Sequence, residues 1–305
     1  MCSFFRKAIA SICITAPALG ATLMDSADFQ ASRDLASMFP SVGTVAGAGL
    51  QGSGVLIGDR WVLTAGHIAQ GKSGTGTFTV GGTTFNVTSA IVHPDYVFPS
   101  SDIGLLLLQT SAGNVPAAAL HQFGAPSDVL GMEATWVGTG FSGTGSTGAG
   151  LPIESRAFTN IIDVFGNHPD YEGLPATSII SDFDSSNPIH NAPDSSPAPT
   201  LLEGNLAPGD SGGGVFVMIN GSPRLIGISS YRSTLDSRPL GTNSKYGSLS
   251  GATFLDSFFP WIGGQTGIVA VPEPSTTLLL MGSLLIATGR RRRIERPARL
   301  PVGNR

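Results

Sequence analysis

The chain has 305 residues, of which 41% are hydrophobic, only 12% are charged and 41 are glycine; this length suits one large domain or two smaller ones. Coiled coils and acidic disordered segments need many more Lys and Glu residues, so the composition excludes them and favours a turn-rich β protein. Residues 21–270 carry 8 basic and 19 acidic residues, and such an acidic body repels phosphate groups, which argues against nucleic acid as a partner.

The first 21 residues have the pattern of a secretory signal peptide. A basic start precedes an apolar run over residues 8–18, and the small residues of Ala18-Leu19-Gly20 form a cleavage site. The alternative is a buried N-terminal helix. Both cysteines, Cys2 and Cys13, lie in this segment, so its removal would leave a chain with neither disulfides nor a cysteine-bound metal.

The body of the chain has the short apolar runs and tight-turn signals of an all-β protein. Gly81-Gly82 separates two runs rich in Thr, Val and Phe, and Asn220-Gly221 lies between two further apolar runs. Both dipeptides are typical of two-residue hairpin loops. A single short helix is expected near Ala252–Phe259, where Pro260 would end or disturb it.

A glycine-rich stretch from Gly138 to Gly143 matches the dinucleotide-binding pattern G-x-G-x-x-G. That site requires a helix to begin there, so that its N-terminus faces the pyrophosphate. Residues 144–150 are rich in Gly, Ser and Thr and cannot form this helix. The sequence therefore predicts a mobile loop here, and no nucleotide or other cofactor.

Residues 182–200 are rich in Ser, Pro, Asp and Asn, and we expect them to form a long surface loop. Asp182, Asp184 and Asn187 alternate there with other residues, a pattern that suits oxygen ligation of Ca²⁺. The glycine and terminal glutamate of an EF-hand do not follow. The sequence thus predicts no metal site, with calcium as a minor alternative.

Three short segments carry the residue types of nucleophilic catalysis. His67 follows an apolar strand, Asp102 precedes another, and Ser211 lies in a glycine-rich turn. A serine hydroxyl attacks only when a base removes its proton, and that base needs an orienting partner. Each residue alone has an ordinary alternative, as a core histidine, a loop carboxylate or a turn serine.

Together, Thr64-Ala65-Gly66-His67, Asp102-Ile103 and Gly209-Asp210-Ser211-Gly212-Gly213 resemble the corresponding segments of trypsin-like (chymotrypsin-fold) serine proteases. The resemblance covers about residues 41–262. It implies an all-β fold of two antiparallel β-barrels with the active site between them. It also implies that His67 is the general base, that Asp102 orients it and that Ser211 is the nucleophile, with the amides of Gly209 and Ser211 as the oxyanion hole.

The resemblance further implies which residues bind substrate. Asn205 stands at the base of the primary pocket, where an acid would favour Lys or Arg, and the substrate-strand segment is Ser230-Tyr231-Arg232. We therefore expect no preference for Lys or Arg in the substrate. Arg232, where many relatives have glycine, would narrow the pocket, attract an acidic side chain or point to solvent.

Two departures from the family pattern concern structure and activation. The cysteines that many relatives bridge beside the histidine are replaced by Ile68 and Gly52. No activation sequence precedes His67, so the group that pairs with Asp210 is left open: either another group satisfies it or the cleavage site has drifted.

The C-terminal region has three parts in a fixed order. Val271-Pro272-Glu273-Pro274 is followed by a short apolar stretch over 276–289 and by four arginines at 290–293. This order resembles the PEP-CTERM sorting signal of exported bacterial proteins, which implies an exosortase-type machinery as a partner. The alternative is a short membrane anchor that stays attached.

The sequence thus predicts a secreted or surface-sorted serine endopeptidase that acts on protein or peptide substrates, needs no cofactor and is a monomer. The rival is a catalytically idle matrix or adhesion protein on the same scaffold; a serine esterase is disfavoured because the Gly-x-Ser-x-Gly elbow is missing. The predicted segments are the signal peptide 1–21, an N-terminal segment 22–40, the protease domain 41–264, a flexible linker 265–270, the sorting signal 271–293 and a basic tail 294–305.

Overall fold

A computed structural model describes residues 21–235 and 243–272 of the chain. The predicted signal peptide up to Gly20 and the sorting signal beyond Pro272 lie outside the described residues. Within the described residues, no helix is long and apolar enough to span a membrane.

Most of the described chain is β-structure. The strands are, in chain order, β1 (Ala21–Leu23), β2 (Val42–Ala46), β3 (Gly52–Leu56), β4 (Trp61–Thr64), β5 (Thr77–Val80), β6 (Thr83–Val92), β7 (Gly104–Leu108), β8 (His121–Gln122), β9 (Glu133–Thr144), β10 (Gly148–Ile161), β11 (Val164–Phe165), β12 (Ser178–Asp182), β13 (Gly204–Asn205), β14 (Gly214–Ile219), β15 (Ser222–Ser233), β16 (Leu249–Phe254) and β17 (Val271–Pro272). The α-helices are α1 (Phe29–Ser37), α2 (Gly66–Ala69) and α3 (Phe259–Thr266).

The first half is a closed antiparallel barrel in the order β2-β3-β4-β7-β6-β5. The predicted Gly81-Gly82 hairpin joins β5 to β6, and both glycines have positive φ, as this type of two-residue loop requires. Apolar side chains that point inwards alternate along the strands and fill the barrel, among them Val45, Val55 and Leu63.

The second half is a nine-stranded sheet in the order β11-β12-β16-β15-β14-β9-β1-β13, with β10 paired to β9. Trp136 and Phe158 stack at its centre with ring centroids 5.7 Å apart. The predicted Asn220-Gly221 hairpin joins β14 to β15. The all-β, two-part trypsin-like architecture is therefore confirmed.

The two halves contact each other through β3. The hydroxyl of Ser53 donates to the carbonyl of Gly209 at 2.9 Å and accepts from the amide of Thr139 at 2.8 Å. The amide of Ser53 donates to the carbonyl of Ser211 at 2.7 Å. This contact fixes the turn that carries Ser211 against the first barrel.

The prediction of a loop at Gly138–Gly143 and in the following residues is wrong. These glycines lie in β9, which pairs with β10, β14 and β1. Glycine is required because the neighbours come so close: a Cβ at Gly138 would lie 2.6 Å from Oδ1 of Asp210. The small side chains therefore make room for the turn that carries Asp210 and Ser211, and they do not mark a mobile segment.

The helix near the C-terminus exists, but it lies later in the chain than predicted. Residues Leu249–Phe254 form β16, a 3₁₀ turn follows, and α3 begins at Phe259. Pro260 lies in its first turn, where a missing N–H costs nothing, so proline begins this helix and does not end it.

Two predicted flexible segments are partly packed. In the 265–270 linker, Ile268 packs against the core and Ala270 is buried, so this segment is not a free spacer. In the 182–200 loop, Asp182, Phe183 and Asp184 are buried, so its beginning belongs to the interior.

Candidate active site

The position of His67 is set by the end of β4. The strand stops at Thr64, and His67 lies in the short helix α2 that follows. Its side chain is 13% exposed and meets the ring of Phe98 edge-on, with centroids 5.3 Å apart. The imidazole is therefore held in place while one edge reaches the solvent-filled cleft.

Asp102 is completely buried and makes three hydrogen bonds with its carboxylate. Oδ1 accepts from the amide of His67 at 2.9 Å. Oδ2 lies 2.7 Å from Nδ1 of His67 and accepts from the hydroxyl of Ser230 at 2.5 Å. These bonds compensate the loss of water around a buried charge, and they fix both the ring and the carboxylate.

Ser211 and His67 line the same cavity, which has a volume of about 520 Å³. Among the described residues, the Ser211 hydroxyl donates to the carbonyl of Ser230 at 3.3 Å and makes no hydrogen bond to His67. Hydrogen bonds between a catalytic serine and histidine are often long or poorly aligned without substrate and tighten only when substrate is present.

The turn before Ser211 presents two free amides. The amides of Asp210 and Gly212, within the same turn, donate to the carbonyls of Ala207 and Ser229. Within the described residues, the amides of Gly209 and Ser211 donate to no protein acceptor, and both residues line a second cavity of about 370 Å³. Gly209 has φ +100°, and a Cβ there would lie 2.7 Å from Cα of Gly140, so only glycine fits.

Asp210 lies beneath this turn and is fully buried. Its Oδ2 accepts from the amide of Ala207 at 2.7 Å, whereas its Oδ1 has no hydrogen-bond partner within the described part of the chain. Burial raises the pKa of Asp210 to about 8, although the Ala207 amide and the positive charge of Arg232 act in the opposite direction. Of the described groups, Arg232 is thus the cation that influences Asp210.

The predicted substrate-binding residues lie at different depths. Ser230 and Tyr231 line the larger cavity, but the Ser230 hydroxyl donates to Asp102 and the Ser230 carbonyl accepts from the Ser211 hydroxyl. The Tyr231 hydroxyl lies 2.7 Å from the hydroxyl of Ser178, and burial raises the pKa of Tyr231 to about 12. This tyrosine is a neutral wall of the cavity.

Asn205 and Arg232 differ in accessibility. Asn205 is fully buried and accepts from the hydroxyl of Ser250, and its neighbour Leu206 forms the cavity wall. Arg232 lines the cavity and is exposed, while its Nη1 donates to the buried hydroxyl of Ser244 at 2.7 Å. Of the described lining residues, none is acidic.

Two contributors to the site were missed by the sequence analysis. Leu50 and Phe98 line the cavity with 61% and 53% exposure and give its rim an apolar surface. The carbonyls of Leu50 and Ala48 accept from the ammonium group of the fully buried Lys72. Burial lowers the pKa of Lys72, and no sequence motif marks this lysine as the support of the rim.

Where many relatives have a disulfide beside the histidine, this chain has Gly52 packed directly against Ile68. A Cβ added to Gly52 would lie 2.7 Å from Cδ1 of Ile68. A glycine and an isoleucine thus fill the space, and this contact needs no oxidation.

Comparison with known proteins agrees with this geometry. Residues 31–159 match the family model described as trypsin, and residues 270–293 match the PEP-CTERM protein-sorting motif. Among solved structures, neuropsin, a serine protease expressed in the limbic system of mouse brain, is similar with a TM-score of 0.55. The identity is 22%, over 77% of this chain and 97% of that chain, which shows a shared fold. None of the curated proteins compared with the chain matches it.

Residues 31–159 therefore match the trypsin family, and the described chain has the trypsin-like fold. The chain also carries a C-terminal PEP-CTERM sorting motif, which indicates export and sorting to the cell surface or extracellular space.

Proposed function

We propose that the protein is a serine endopeptidase that cleaves peptide bonds through an acyl-enzyme, with Ser211 as nucleophile, His67 as general base and Asp102 as the group that orients His67. One observation carries this proposal. The buried carboxylate of Asp102 holds His67 by one bond to its main-chain amide and one to Nδ1 of its imidazole, and His67 lines the cavity that Ser211 also lines.

The proton transfers follow from the hydrogen bonds. With its proton on Nδ1, held by Asp102, His67 has a free Nε2 that accepts the proton of Ser211 while Oγ bonds to the substrate carbonyl carbon. Nε2 then gives this proton to the leaving amine as the C–N bond breaks. A water molecule repeats the sequence on the ester, loses its proton to Nε2, and the serine hydroxyl is restored.

The free amides of Gly209 and Ser211 support an oxyanion hole. Negative charge develops on the carbonyl oxygen during attack, and two fixed N–H groups stabilise it without having to reorganise. Because no protein acceptor competes for these amides among the described residues, they are available to substrate.

The larger cavity supports a selectivity that differs from a preference for Lys or Arg. Among its described lining residues Arg232 is the cation and none is acidic, and the buried Asn205 behind the wall is uncharged. A basic side chain would meet a like charge there, whereas an acidic one would meet Arg232. We therefore infer that the residue before the cleaved bond is acidic or uncharged.

The experiment is labelling with a fluorophosphonate probe, which reacts only with an activated serine. The mature protein is expected to be labelled and to hydrolyse a peptide library, whereas Ser211→Ala loses labelling and at least a thousandfold in turnover. The buried Ser229→Ala variant is a matched control that removes a nearby hydroxyl and should still be labelled. Absence of labelling in the folded wild-type protein would favour the rival, a non-catalytic scaffold.

A further inference from the structure

The end of β12 and the segment after it bury three oxygen atoms that have no hydrogen-bond partner among the described residues. They are Oδ1 of Asp182, Oδ1 of Asp184 and Oδ1 of Asn191. Asp182 and Asp184 are 1% and 2% exposed. Buried polar atoms in folded proteins almost always have a partner, so these three oxygens indicate that a group is needed to complete their environment.

These residues lie close together because the chain folds back on itself. The amide of Ala192, next to Asn191, donates to Oδ2 of Asp182 at 2.6 Å. The hydroxyl of Ser195 donates to the same oxygen at 3.0 Å. The side chains of Asp182 and Asp184 contact each other directly. One oxygen of Asp182 is thus satisfied by the loop, while the other is not.

Further negative charge surrounds this point. Oε1 of the buried Glu203 accepts from the amide of Asp184 at 3.4 Å, and Oδ2 of Asp163 accepts from the amide of Asp182 at 3.3 Å. Among the described residues, no lysine or arginine forms an ion pair with any of these four carboxylates. Buried carboxylates that repel each other require a cation, a proton or a large loss of stability.

We propose that Asp182, Asp184 and Asn191 bind a Ca²⁺ ion, with Glu203 completing the negative charge around it. Carboxylate and amide oxygens are the ligands that Ca²⁺ prefers, and it accepts the irregular geometry that a loop supplies. Mg²⁺ demands a regular octahedron and keeps its water, so it fits such a buried loop less well.

The proposed ligands differ from the three residues that alternate in the sequence. Asn187, which alternates with the two aspartates, instead accepts from the amide of Ile189 at 3.2 Å and is exposed. Asn191 supplies the amide oxygen because the 3₁₀ turn Pro188–His190 brings it back. A separate surface group, His168, Asp170 and Asp194, also gathers ligand atoms, but its two carboxylates are exposed and it has no unpartnered buried atom.

The proposed site is hydrogen-bonded through Asn160 to β13, which is followed by Leu206 in the cavity wall. Nδ2 of Asn160 donates both to the carbonyl of Asp182 at 2.5 Å and to the carbonyl of Gly204 at 3.1 Å. Gly204 precedes Asn205 in β13. We therefore expect Ca²⁺ to hold the 182–203 segment in place and to protect the folded enzyme from heat.

The test is calorimetric titration of the purified mature protein with Ca²⁺ after treatment with EGTA, together with its melting temperature. We expect one saturable site and, for the dissociation constants of about 10⁻⁴–10⁻³ M that are usual outside cells, a rise of about 3–10 °C in 10 mM Ca²⁺. Mg²⁺ at the same concentration should give a much smaller rise. No saturable binding of Ca²⁺ to the folded wild-type protein would overturn the proposal.

Three variants separate binding from folding. Asp184→Asn and Asn191→Ala should each weaken Ca²⁺ binding by at least tenfold, whereas the matched control Asp194→Asn removes an exposed acid of the same segment and should bind normally. In EGTA, Asp184→Asn should melt no lower than the wild type, because it removes repulsion. Unchanged binding in the first two variants, or equal loss in the control, would contradict the assignment.

Discussion

The substitution Asp102→Asn tests the orientation of His67 most directly, because the hydrogen bonds dictate how the amide must sit. The main-chain amide of His67 can only donate, so the amide oxygen of the asparagine must occupy the place of Oδ1. The NH₂ group then faces Nδ1 of His67 at the place of Oδ2. It donates to Nδ1, and the imidazole proton moves to Nε2, which can no longer accept the proton of Ser211.

The expected loss is large, although the shape of the side chain is unchanged. The wrong tautomer in an otherwise intact triad costs about 10⁴ in kcat, which corresponds to about 5.4 kcal/mol at about 1.36 kcal/mol per factor of ten. The assay is steady-state hydrolysis of one peptide substrate. The matched control is Ser230→Ala, which removes the third bond to Asp102 but keeps both bonds to His67, and it should stay within about tenfold of the wild type. If Asp102→Asn kept a tenth of the wild-type kcat, the orienting role would be refuted.

Three other predictions concern selectivity, pH and processing. Arg232→Gln should lower kcat/KM for a substrate with glutamate before the cleaved bond about fivefold relative to the same substrate with glutamine, since an exposed ion pair contributes about 1 kcal/mol. An equal effect on both substrates would show that Arg232 does not determine selectivity. Burial raises the pKa of Asp210 to about 8, so the folded protein keeps a proton on this carboxyl that the unfolded chain releases above about pH 4. As the pH rises from about 4 to 8, this group therefore lowers the free energy of unfolding by about 1.4 kcal/mol per pH unit. Urea unfolding should show a flatter pH dependence for Asp210→Asn, and an identical slope would contradict the assignment. Intact mass spectrometry of the mature protein from its host should give the mass of a chain that ends near Pro272-Glu273-Pro274. A mature chain that retains the four arginines at 290–293 would show instead a permanent anchor.

The features that could be predicted from the sequence are those that neighbouring residues determine. The Gly81-Gly82 and Asn220-Gly221 loops adopt positive φ at both positions, a requirement that few other residue pairs meet. The segments around His67, Asp102 and Ser211 are equally local, and the structure brings all three to one cleft. The catalytic roles of these residues stay predictions.

The features that could not be predicted depend on distant partners. The stretch Gly138–Gly143 has little intrinsic strand preference. It continues β9 because β10 and β1 pair with it and the Asp210 turn packs on it. Likewise α1 is capped by Asp28, which accepts from the amide of Gln30 at 2.7 Å, but its nine residues carry only two buried side chains. A pattern this weak gives little signal in the sequence.

The long loop shows the same limit for binding residues. The alternation of Asp182, Asp184 and Asn187 did not indicate Asn191, because spacing alone cannot show that the chain turns back at Pro188. Lys72 has no signal at all, since a lysine in a sequence is ordinarily a surface residue, and only the carbonyls of Ala48 and Leu50 explain its burial.

The position of β1 in the second sheet determines when that sheet can finish folding during export. Ala21 pairs with Ser142, and the hydroxyl of Thr22 donates to the carbonyl of Asn205, 183 residues later in the chain. β1 leaves the export channel early, but it can pair only after its partners in β9 and β13 have also been exported. Contacts between residues so far apart in the sequence form slowly. Because Asn205 is followed directly by Leu206, which lines the proposed substrate cavity, that cavity is complete only after most of the chain has been exported.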